Sequence, residues 1–180
     1  MNTPAPPVLG LAGWSGSGKT TLGTELIRRL SERGLRISTL KHAHHAFDID
    51  QPGKDSYRHR AAGAGQVLVT SANRWALMTE LRGAAELSFT DALSKIDPCD
   101  LVLVEGFKNE DFPKLEVHRP TLGKPLLYGQ VPGILAIASD APLGDKTDGD
   151  IRSGIKVPIL DLNDLTTIER WVLDYMTWPS

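Results

Sequence analysis

The chain has 180 residues, of which 41% are hydrophobic, and a formal net charge of −2. This size favours one well-buried domain, and the small charge gives no overall attraction to nucleic acid or an anionic membrane. The single cysteine, Cys99, excludes an internal disulfide and a thiolate metal site, and with no apolar run long enough to span a membrane the composition favours a cytoplasmic protein.

The first third of the chain predicts a strand, a helix and a second strand. Residues 1–7, MNTPAPP, have no basic flank and no apolar core, so they predict an extended N-terminal arm rather than a secretory signal. The run VLGLA, residues 8–12, predicts a buried parallel strand. Leu22, Leu26 and Leu30 form one helical stripe that ends before Gly34, and LRISTLKH predicts the next strand. Together these segments indicate a βαβ unit and a parallel sheet.

The middle of the chain is predicted to contain a long polar loop, a short helix and a hairpin. The loop is KHAHHAFDIDQPGKDS, residues 41–56, and the helix is SYRHRAAGA, residues 56–64. The segments QVLVTS and RWALMTEL, separated by only two residues, predict an antiparallel hairpin at the edge of the sheet. TDALSKI predicts another helix, with Thr90 as its cap.

The last third predicts three more strands and a closing helix. The segments LVLVEG, GILAIASD and VPILDL are apolar runs that each end in a polar residue or glycine. Leu165, Ile168, Val172 and Tyr175 share one face of a helix in NDLTTIERWVLDYM. Neither a repeat nor a linker interrupts the chain. The predicted fold is a single α/β domain over residues 1–180, a mostly parallel central sheet flanked by helices with an antiparallel edge hairpin.

The segment GWSGSGKT, Gly13 to Thr20, has the spacing of a phosphate-binding loop between a strand and a helix. Its glycines let the backbone approach an oxyanion, and the N–H groups converge at a helix N-terminus. Lys19 is expected to reach the β- and γ-phosphates, Thr20 to bind Mg²⁺ and Thr21 to contact the α-phosphate. The predicted nucleotide-binding residues of this segment are Gly13, Ser15, Gly16, Ser17, Gly18, Lys19, Thr20 and Thr21.

Two carboxylates at predicted strand ends are further candidates. Glu105 ends LVLVE, at the edge of the sheet where ligands bind, so we expect it to approach the metal and to act in catalysis with Lys19. Asp140 ends another strand and is the preferred candidate for reading the nucleotide base. The alternative is DKTD, residues 145–148, which differs from the guanine-binding pattern [NT]-K-x-D at its first position. Asp100 is expected to lie at the opposite end of its strand.

The polar loop after the second strand contains His42, His44 and His45. Three interpretations remain open, namely a nucleotide-sensing switch, a transition-metal site and a plain solvated loop. Asp48 and Asp50 are candidates for reaching Mg²⁺ through water. Arg58 or Arg60 is expected either to face phosphate or to form a surface ion pair.

Four segments in order, AGWSGSGKTTL, LKHAHHAFDIDQPGKDSYRHRAAGA, RWALMTEL and DLVLVEGFK, resemble the MobB family, the GTP-binding adapter proteins of molybdopterin-guanine dinucleotide biosynthesis. The glycine loop is common to many NTPases, whereas KH-x-HH followed by D-x-D-x-PGKDSYR is far more specific. The resemblance implies a P-loop fold, GTP with Mg²⁺, weak hydrolysis and a homodimer. It also implies association with a MobA-type molybdopterin guanylyltransferase, either alone or with molybdopterin. Guanine preference rests on the resemblance alone.

Two other functions use the same loop. A small-molecule kinase would need an acceptor pocket and usually an arginine-bearing lid over the phosphates, and no glycine-hinged, arginine-rich segment is evident in the sequence. A metal-delivery GTPase would use His42, His44 and His45 as ligands. Because no arginine finger or water-orienting glutamine stands out, the residues predict slow turnover.

Overall fold

The computed structural model describes residues 6–43, 47–143 and 154–177. The chain divides into two compact units. The first is Met1–His42 with Ala92–Ser180, and the second, Ala43–Asp91, is inserted between them. The sequence contains no composition change at either boundary, and the expectation of one domain over residues 1–180 stays a prediction. Among the described residues, no helix combines the length and the apolar character needed to cross a membrane.

The helices and strands follow the predicted order, with one strand added. The strands are β1 Val8–Ala12, β2 Ile37–Lys41, β3 Gln66–Thr70, β4 Trp75–Thr79, β5 Leu101–Glu105, β6 Lys114–His118, β7 Ile134–Ser139 and β8 Ile159–Asp161. The helices are α1 Lys19–Glu32, α2 Asp55–Ala61, α3 Phe89–Leu93 and α4 Leu165–Met176, with a short 3-10 turn at Pro120–Leu122.

The first unit contains a six-stranded parallel sheet in the order β2-β5-β1-β6-β7-β8. The predicted mostly parallel sheet is therefore confirmed. Leu9, Leu103 and Leu115 come from adjacent strands and pack in one core with the buried stripe of α1. The stripe of α4 packs in the same core, so both predicted amphipathic helices are confirmed.

Strand β6 was not predicted from the sequence, yet it lies in the middle of the sheet. Its sequence KLEVH alternates charged and apolar residues, and all five residues are buried. Leu115 and Val117 enter the core, while the Lys114 ammonium donates to the carbonyl groups of Glu110, Phe112 and Pro132. Burial of the Lys114 and Glu116 side chains is tolerated because both have hydrogen-bond partners in the protein.

The second unit contains α2 and the predicted hairpin, which forms a two-stranded antiparallel sheet of its own. In this unit Arg60 binds Asp48, Asp50 and Glu80. The ion-pair interpretation of Arg60 is therefore the one that the structure supports.

The cap of α3 differs from the prediction. The hydroxyl of Ser88 accepts a hydrogen bond from the N–H of Asp91 and donates one to its carboxylate, whereas Thr90 lies inside the helix. Ser88 is better placed to cap because its side chain lies one turn before that N–H group.

Candidate phosphate-binding site

The glycine-rich segment joins β1 to α1 at the carboxyl edge of the sheet. Strand β1 lies between β5 and β6, so the polar ends of those two strands lie on either side of the segment. Ligands of open parallel sheets bind at this edge, next to a change in strand order. The topology therefore brings the glycine loop, Glu105 and the residues that follow β6 to one place.

Three glycines of the loop, Gly13, Gly16 and Gly18, have a positive φ, a conformation that favours glycine. Gly13 has φ +151°, and a Cβ there would lie 2.5 Å from the carbonyl oxygen of Val117 and 2.6 Å from Ser17 Oγ. Gly18 has φ +97°, in the left-handed region, where it ends the loop and begins α1. Trp14 anchors the other side of the loop by donating from Nε1 to the carbonyl oxygen of Pro125, over 2.8 Å. The loop is thus held close to β6, with no room for a side chain at Gly13.

The first turn of α1 presents backbone N–H groups that no side chain of the described residues caps. Thr20 and Thr21 are exposed there, whereas Ser17 is 1% exposed and its hydroxyl oxygen is buried with no hydrogen-bond partner among the described residues. A helix start with uncapped N–H groups attracts anions. The arrangement fits a phosphate group, which supplies acceptors for these donors.

Lys19 lies over the loop it follows. Its ammonium donates to the carbonyl oxygens of Gly13 and Trp14, at 2.8 and 2.9 Å. Burial lowers the pKa of Lys19, an effect that the Glu105 carboxylate opposes and Lys41 reinforces. Both carbonyl partners belong to the phosphate loop, so the structure places the Lys19 charge at the site where the sequence predicts it.

Glu105 ends β5, in register with Leu11 of β1 and Lys41 of β2. Its carboxylate lies 3.8 Å from the Lys41 ammonium, and a Cβ on Gly23 of α1 would be 3.7 Å from Glu105 Oε1. The carboxylate therefore faces the first turns of α1, where Thr20 lies. A magnesium ion in a phosphate loop takes one or two protein oxygens and completes its shell with phosphate and water, a role that Thr20 and Glu105 fit.

Gly106 allows His42, at the start of the polar loop that follows β2, to lie next to Glu105. A Cβ on Gly106 would lie 2.6 Å from Cβ of His42, and the His42 N–H donates to the Glu105 carbonyl oxygen at 2.8 Å. The His42 and Phe107 rings are in contact, 4.7 Å between centroids. This hydrogen bond continues the pairing of β2 with β5 by one residue, so the polar loop begins beside Glu105.

Asp140, the candidate for reading the base, follows β7 and lies beside Arg119. Asp140 Oδ2 is 3.4 Å from Arg119 Nη1, and Asp140 Oδ1 is buried without a hydrogen-bond partner among the described residues. Arg119 Nε donates to the Ser17 carbonyl oxygen at 3.1 Å. His118, the last residue of β6, is buried. Burial lowers the pKa of its imidazole, and the Asp140 carboxylate opposes this shift.

A cavity of about 620 Å³ opens beside the loop. Its lining includes Gly18, Thr20 and Thr21 at the start of α1, Arg119 after β6, and Leu162, Asn163 and Leu165 at the start of α4. Ligand sites of this size are typical of small molecules and cofactors. The cavity adjoins the same helix start that carries the uncapped N–H groups.

Other predicted residues lie elsewhere or outside the described part of the chain. Asp48 and Asp50 are bound to Arg60, which occupies the carboxylates proposed to reach Mg²⁺. His44, His45 and the DKTD segment fall outside the described residues. Within residues 6–43, 47–143 and 154–177, no group of three or more His, Cys, Asp or Glu side chains is placed to hold a metal ion.

Arg119 is the site residue that the sequence analysis missed. It follows β6, the strand that was also missed, and the alternation of KLEVH was the available signal for that strand. Once β6 is placed beside β1, Arg119 must emerge next to the phosphate loop.

The chain is similar to proteins of one family. Residues 8–140 match the MobB family model, described as molybdopterin guanine dinucleotide synthesis protein B. The chain is 42% identical to the molybdopterin-guanine dinucleotide biosynthesis adapter protein of Escherichia coli (strain K12), over 94% of this chain and 93% of the relative. It is 39% identical to the protein of that name from Haemophilus influenzae, over 94% of this chain and 89% of the relative.

Solved structures show the same similarity. The crystal structure of Bacillus subtilis MobB matches with a TM-score of 0.68 at 25% identity, covering 93% of this chain and 96% of that chain. A MobB homologue from Bacillus stearothermophilus matches with a TM-score of 0.66 at 23% identity, covering 94% and 97%. These structures share the fold described above.

Proposed function

The chain belongs to the MobB family, and we propose that it is a GTP-binding adapter protein of molybdopterin-guanine dinucleotide biosynthesis with weak Mg²⁺-dependent GTPase activity. The observation that carries the proposal is the glycine loop. Its uncapped N–H groups at the start of α1 and the Lys19 ammonium converge on one edge of the sheet. This arrangement provides both donors and positive charge for a triphosphate.

Each residue of the site has a defined part in holding the nucleotide. The N–H groups of the first turn of α1 bind phosphate oxygens, and Lys19 neutralises charge on the β- and γ-phosphates. Thr20 and Glu105 would hold Mg²⁺, which when bound offsets the charge of the β- and γ-phosphate oxygens. Glu105 is fixed at the end of β5, so the carboxylate is available without a large movement of the chain.

An adapter binds a partner as well as a nucleotide. We expect the partner to be a MobA-type molybdopterin guanylyltransferase, with molybdopterin as a further ligand of the assembly, because the curated relatives are adapter proteins of this pathway. Weak hydrolysis suits such a role, because slow turnover gives the nucleotide-bound form enough lifetime to be recognised by the partner. We expect the protein to act in the cytoplasm.

We also propose that the protein is a homodimer. The hairpin of the second unit presents an apolar face in which Leu68, Trp75 and Leu77 are 61%, 67% and 49% exposed. Leu68 pairs directly with Leu77 across the hairpin, so these side chains share one face. A contiguous exposed apolar face is typical of protein interaction sites, which supports an interface between two copies.

The nucleotide proposal is tested by calorimetric titration with GTP in the presence of Mg²⁺. Lys19→Ala is expected to weaken GTP binding by roughly a hundredfold or more, because the variant loses the ammonium group that donates to the Gly13 and Trp14 carbonyls of the loop. Lys95→Ala, a matched loss of an exposed lysine, is expected to bind like the wild type. Unchanged affinity in Lys19→Ala, or equal competition by ATP, would contradict the GTP assignment.

A further inference from the structure

We propose that Arg119 binds the phosphate chain of the nucleotide from within the same chain, and that Asp140 positions Arg119 rather than reading the base. The inference rests on the proposed nucleotide binding and extends it to residues outside the glycine loop. It starts from the position of Arg119 immediately after β6, the strand next to β1.

Arg119 is held against the glycine loop by a hydrogen bond. Its Nε donates to the carbonyl oxygen of Ser17, which fixes the guanidinium by a backbone group of the loop. A Cβ built on Gly18 would lie 3.4 Å from Nη2, so the guanidinium also lies beside the residue that precedes α1. The positive charge is therefore next to the uncapped N–H groups on which the phosphate site depends.

The guanidinium retains donors for a ligand. An arginine has five N–H donors, and Nε is the one engaged by Ser17. Nη1 is 3.4 Å from the Asp140 carboxylate, and the side chain is 41% exposed although its backbone contact is fixed. Arg119 lines the 620 Å³ cavity together with Gly18, Thr20 and Thr21. The planar guanidinium can donate two parallel hydrogen bonds to the oxygens of a phosphate. Its exposed edge is therefore suited to bind a phosphate chain that lies beside Gly18 and the first turn of α1.

Asp140 is poorly placed to read a guanine base. Recognition of guanine by a carboxylate uses both oxygens, which accept from N1–H and from the exocyclic amine. Asp140 Oδ1 is buried, and Asp140 Oδ2 faces Arg119, so neither oxygen is presented to the cavity. Arg119 lines the cavity, whereas Asp140 does not. A carboxylate in this position holds the arginine by its charge.

The test measures binding of three ligands by calorimetry, namely GTP, XTP and inorganic tripolyphosphate, each with Mg²⁺. Arg119→Gln is expected to weaken GTP and tripolyphosphate by the same factor, roughly tenfold to a hundredfold, the loss typical of a charge-assisted hydrogen bond. Arg119→Lys is expected to recover part of the affinity because it keeps the charge. Asp140→Asn is expected to weaken GTP and tripolyphosphate by a smaller common factor, with no gain in XTP binding.

The double variant and a matched pair complete the design. Arg119→Gln combined with Asp140→Asn is expected to lose little more than Arg119→Gln alone, because Asp140 acts through Arg119. Arg36 and Asp100 form a similar pair, also 3.4 Å apart, where β2 and β5 begin. Arg36→Gln and Asp100→Asn are expected to leave all three affinities unchanged. Thermal unfolding of every variant shows whether a loss of binding is a loss of folding.

Each result decides the inference. Normal GTP affinity in Arg119→Gln overturns it, as does loss of GTP binding with normal tripolyphosphate binding, which would place Arg119 against the base. Improved XTP binding in Asp140→Asn would show that Asp140 reads the base. If the wild type binds ATP as well as GTP and Arg119→Gln weakens both, the guanine assignment fails while the inference holds. A wild type that binds neither triphosphates nor tripolyphosphate overturns both.

Discussion

At the scale of single residues, Glu105 is distinguished by its neighbours on both sides. It lies in register with Leu11, at the point where β1 runs into the glycine loop, and its carboxylate faces α1. In the proposed nucleotide site, Glu105 would contribute by its charge rather than by its shape, because the N–H groups and Lys19 would already supply the donors to phosphate.

Glu105→Gln is therefore expected to retain GTP binding while losing Mg²⁺-dependent hydrolysis. Glutamine keeps the size of the side chain but removes the negative charge that would face the ion. Phosphate release is measured at saturating GTP with and without Mg²⁺, and affinity by titration. Asp174→Asn, an exposed carboxylate change on α4, serves as the control. Full Mg²⁺-dependent turnover in Glu105→Gln would contradict a role of Glu105 towards the metal and would indicate an ordinary turn residue.

The site residues that could be predicted from the sequence are those that lie together in one short segment with a characteristic spacing. Gly13, Gly18 and Lys19 are recognisable because the loop needs particular backbone conformations and one charge at fixed spacings. Arg119 could not be recognised in this way. It enters the site through strand pairing between distant segments, and no local spacing links residue 119 to residue 17.

At the scale of elements, α1 and α4 are joined by a buried carboxylate. Glu169 is 5% exposed and accepts hydrogen bonds from Arg33 and, at 3.2 Å, from Arg29. The Arg33 guanidinium, with a smaller effect from Arg29, lowers the pKa of Glu169 against the opposing effect of burial. This contact ties the C-terminal end of α1 to α4.

Glu169→Gln is expected to lower the free energy of unfolding by about 1–2 kcal/mol at pH 7. The folded pKa lies below the ordinary value of 4.5, so the stabilisation is fully present above about pH 4.5 and is lost as the pH falls through the folded pKa. The difference between wild type and variant should shrink in that range. Urea denaturation at pH 7 and in steps below pH 4.5 measures it.

Glu32→Gln is the matched control for this prediction, because Glu32 is 62% exposed and pairs with Arg28 on the same helix. Exposed pairs contribute little, so its effect should be a few tenths of a kcal/mol. A loss in Glu169→Gln that stays constant down to low pH would show that the carboxylate charge is not what stabilises the contact.

Strands differ in how well the sequence predicts them. Strands β1, β5 and β7 are continuous apolar runs, which parallel strands buried on both faces require, and they were predicted. Strand β6 is equally buried but contains Lys114, Glu116 and His118. Glu116 accepts from the N–H groups of Leu127 and Tyr128, a distant segment, so the partners that make its burial possible cannot be inferred from local sequence.

At the scale of the whole molecule, the insert Ala43–Asp91 differs from the first unit in the character of its surface. Within it Val67 is a buried hydrophobic residue, whereas large apolar side chains on the hairpin and in the preceding loop are exposed. The sequence predicted the hairpin but not a separate unit, because compactness depends on which segments contact one another rather than on composition. An exposed apolar hairpin favours aggregation of an isolated chain, whereas in an assembly the same surface can form an interface.

The proposed homodimer makes this difference testable. Leu77→Lys places a charge on the apolar face beside Leu68 and Trp75, and it is expected to shift the protein from dimer to monomer in sedimentation or light scattering at micromolar concentration. Val69→Lys adds the same charge to the same hairpin, but Val69 is adjacent to Leu68 and therefore lies on the opposite face. Val69→Lys should remain a dimer. Equal dissociation of both variants, or a dimer that survives Leu77→Lys, would place the interface elsewhere. Because the glycine loop belongs to the first unit, the monomeric variant should still bind GTP, which separates assembly from nucleotide binding.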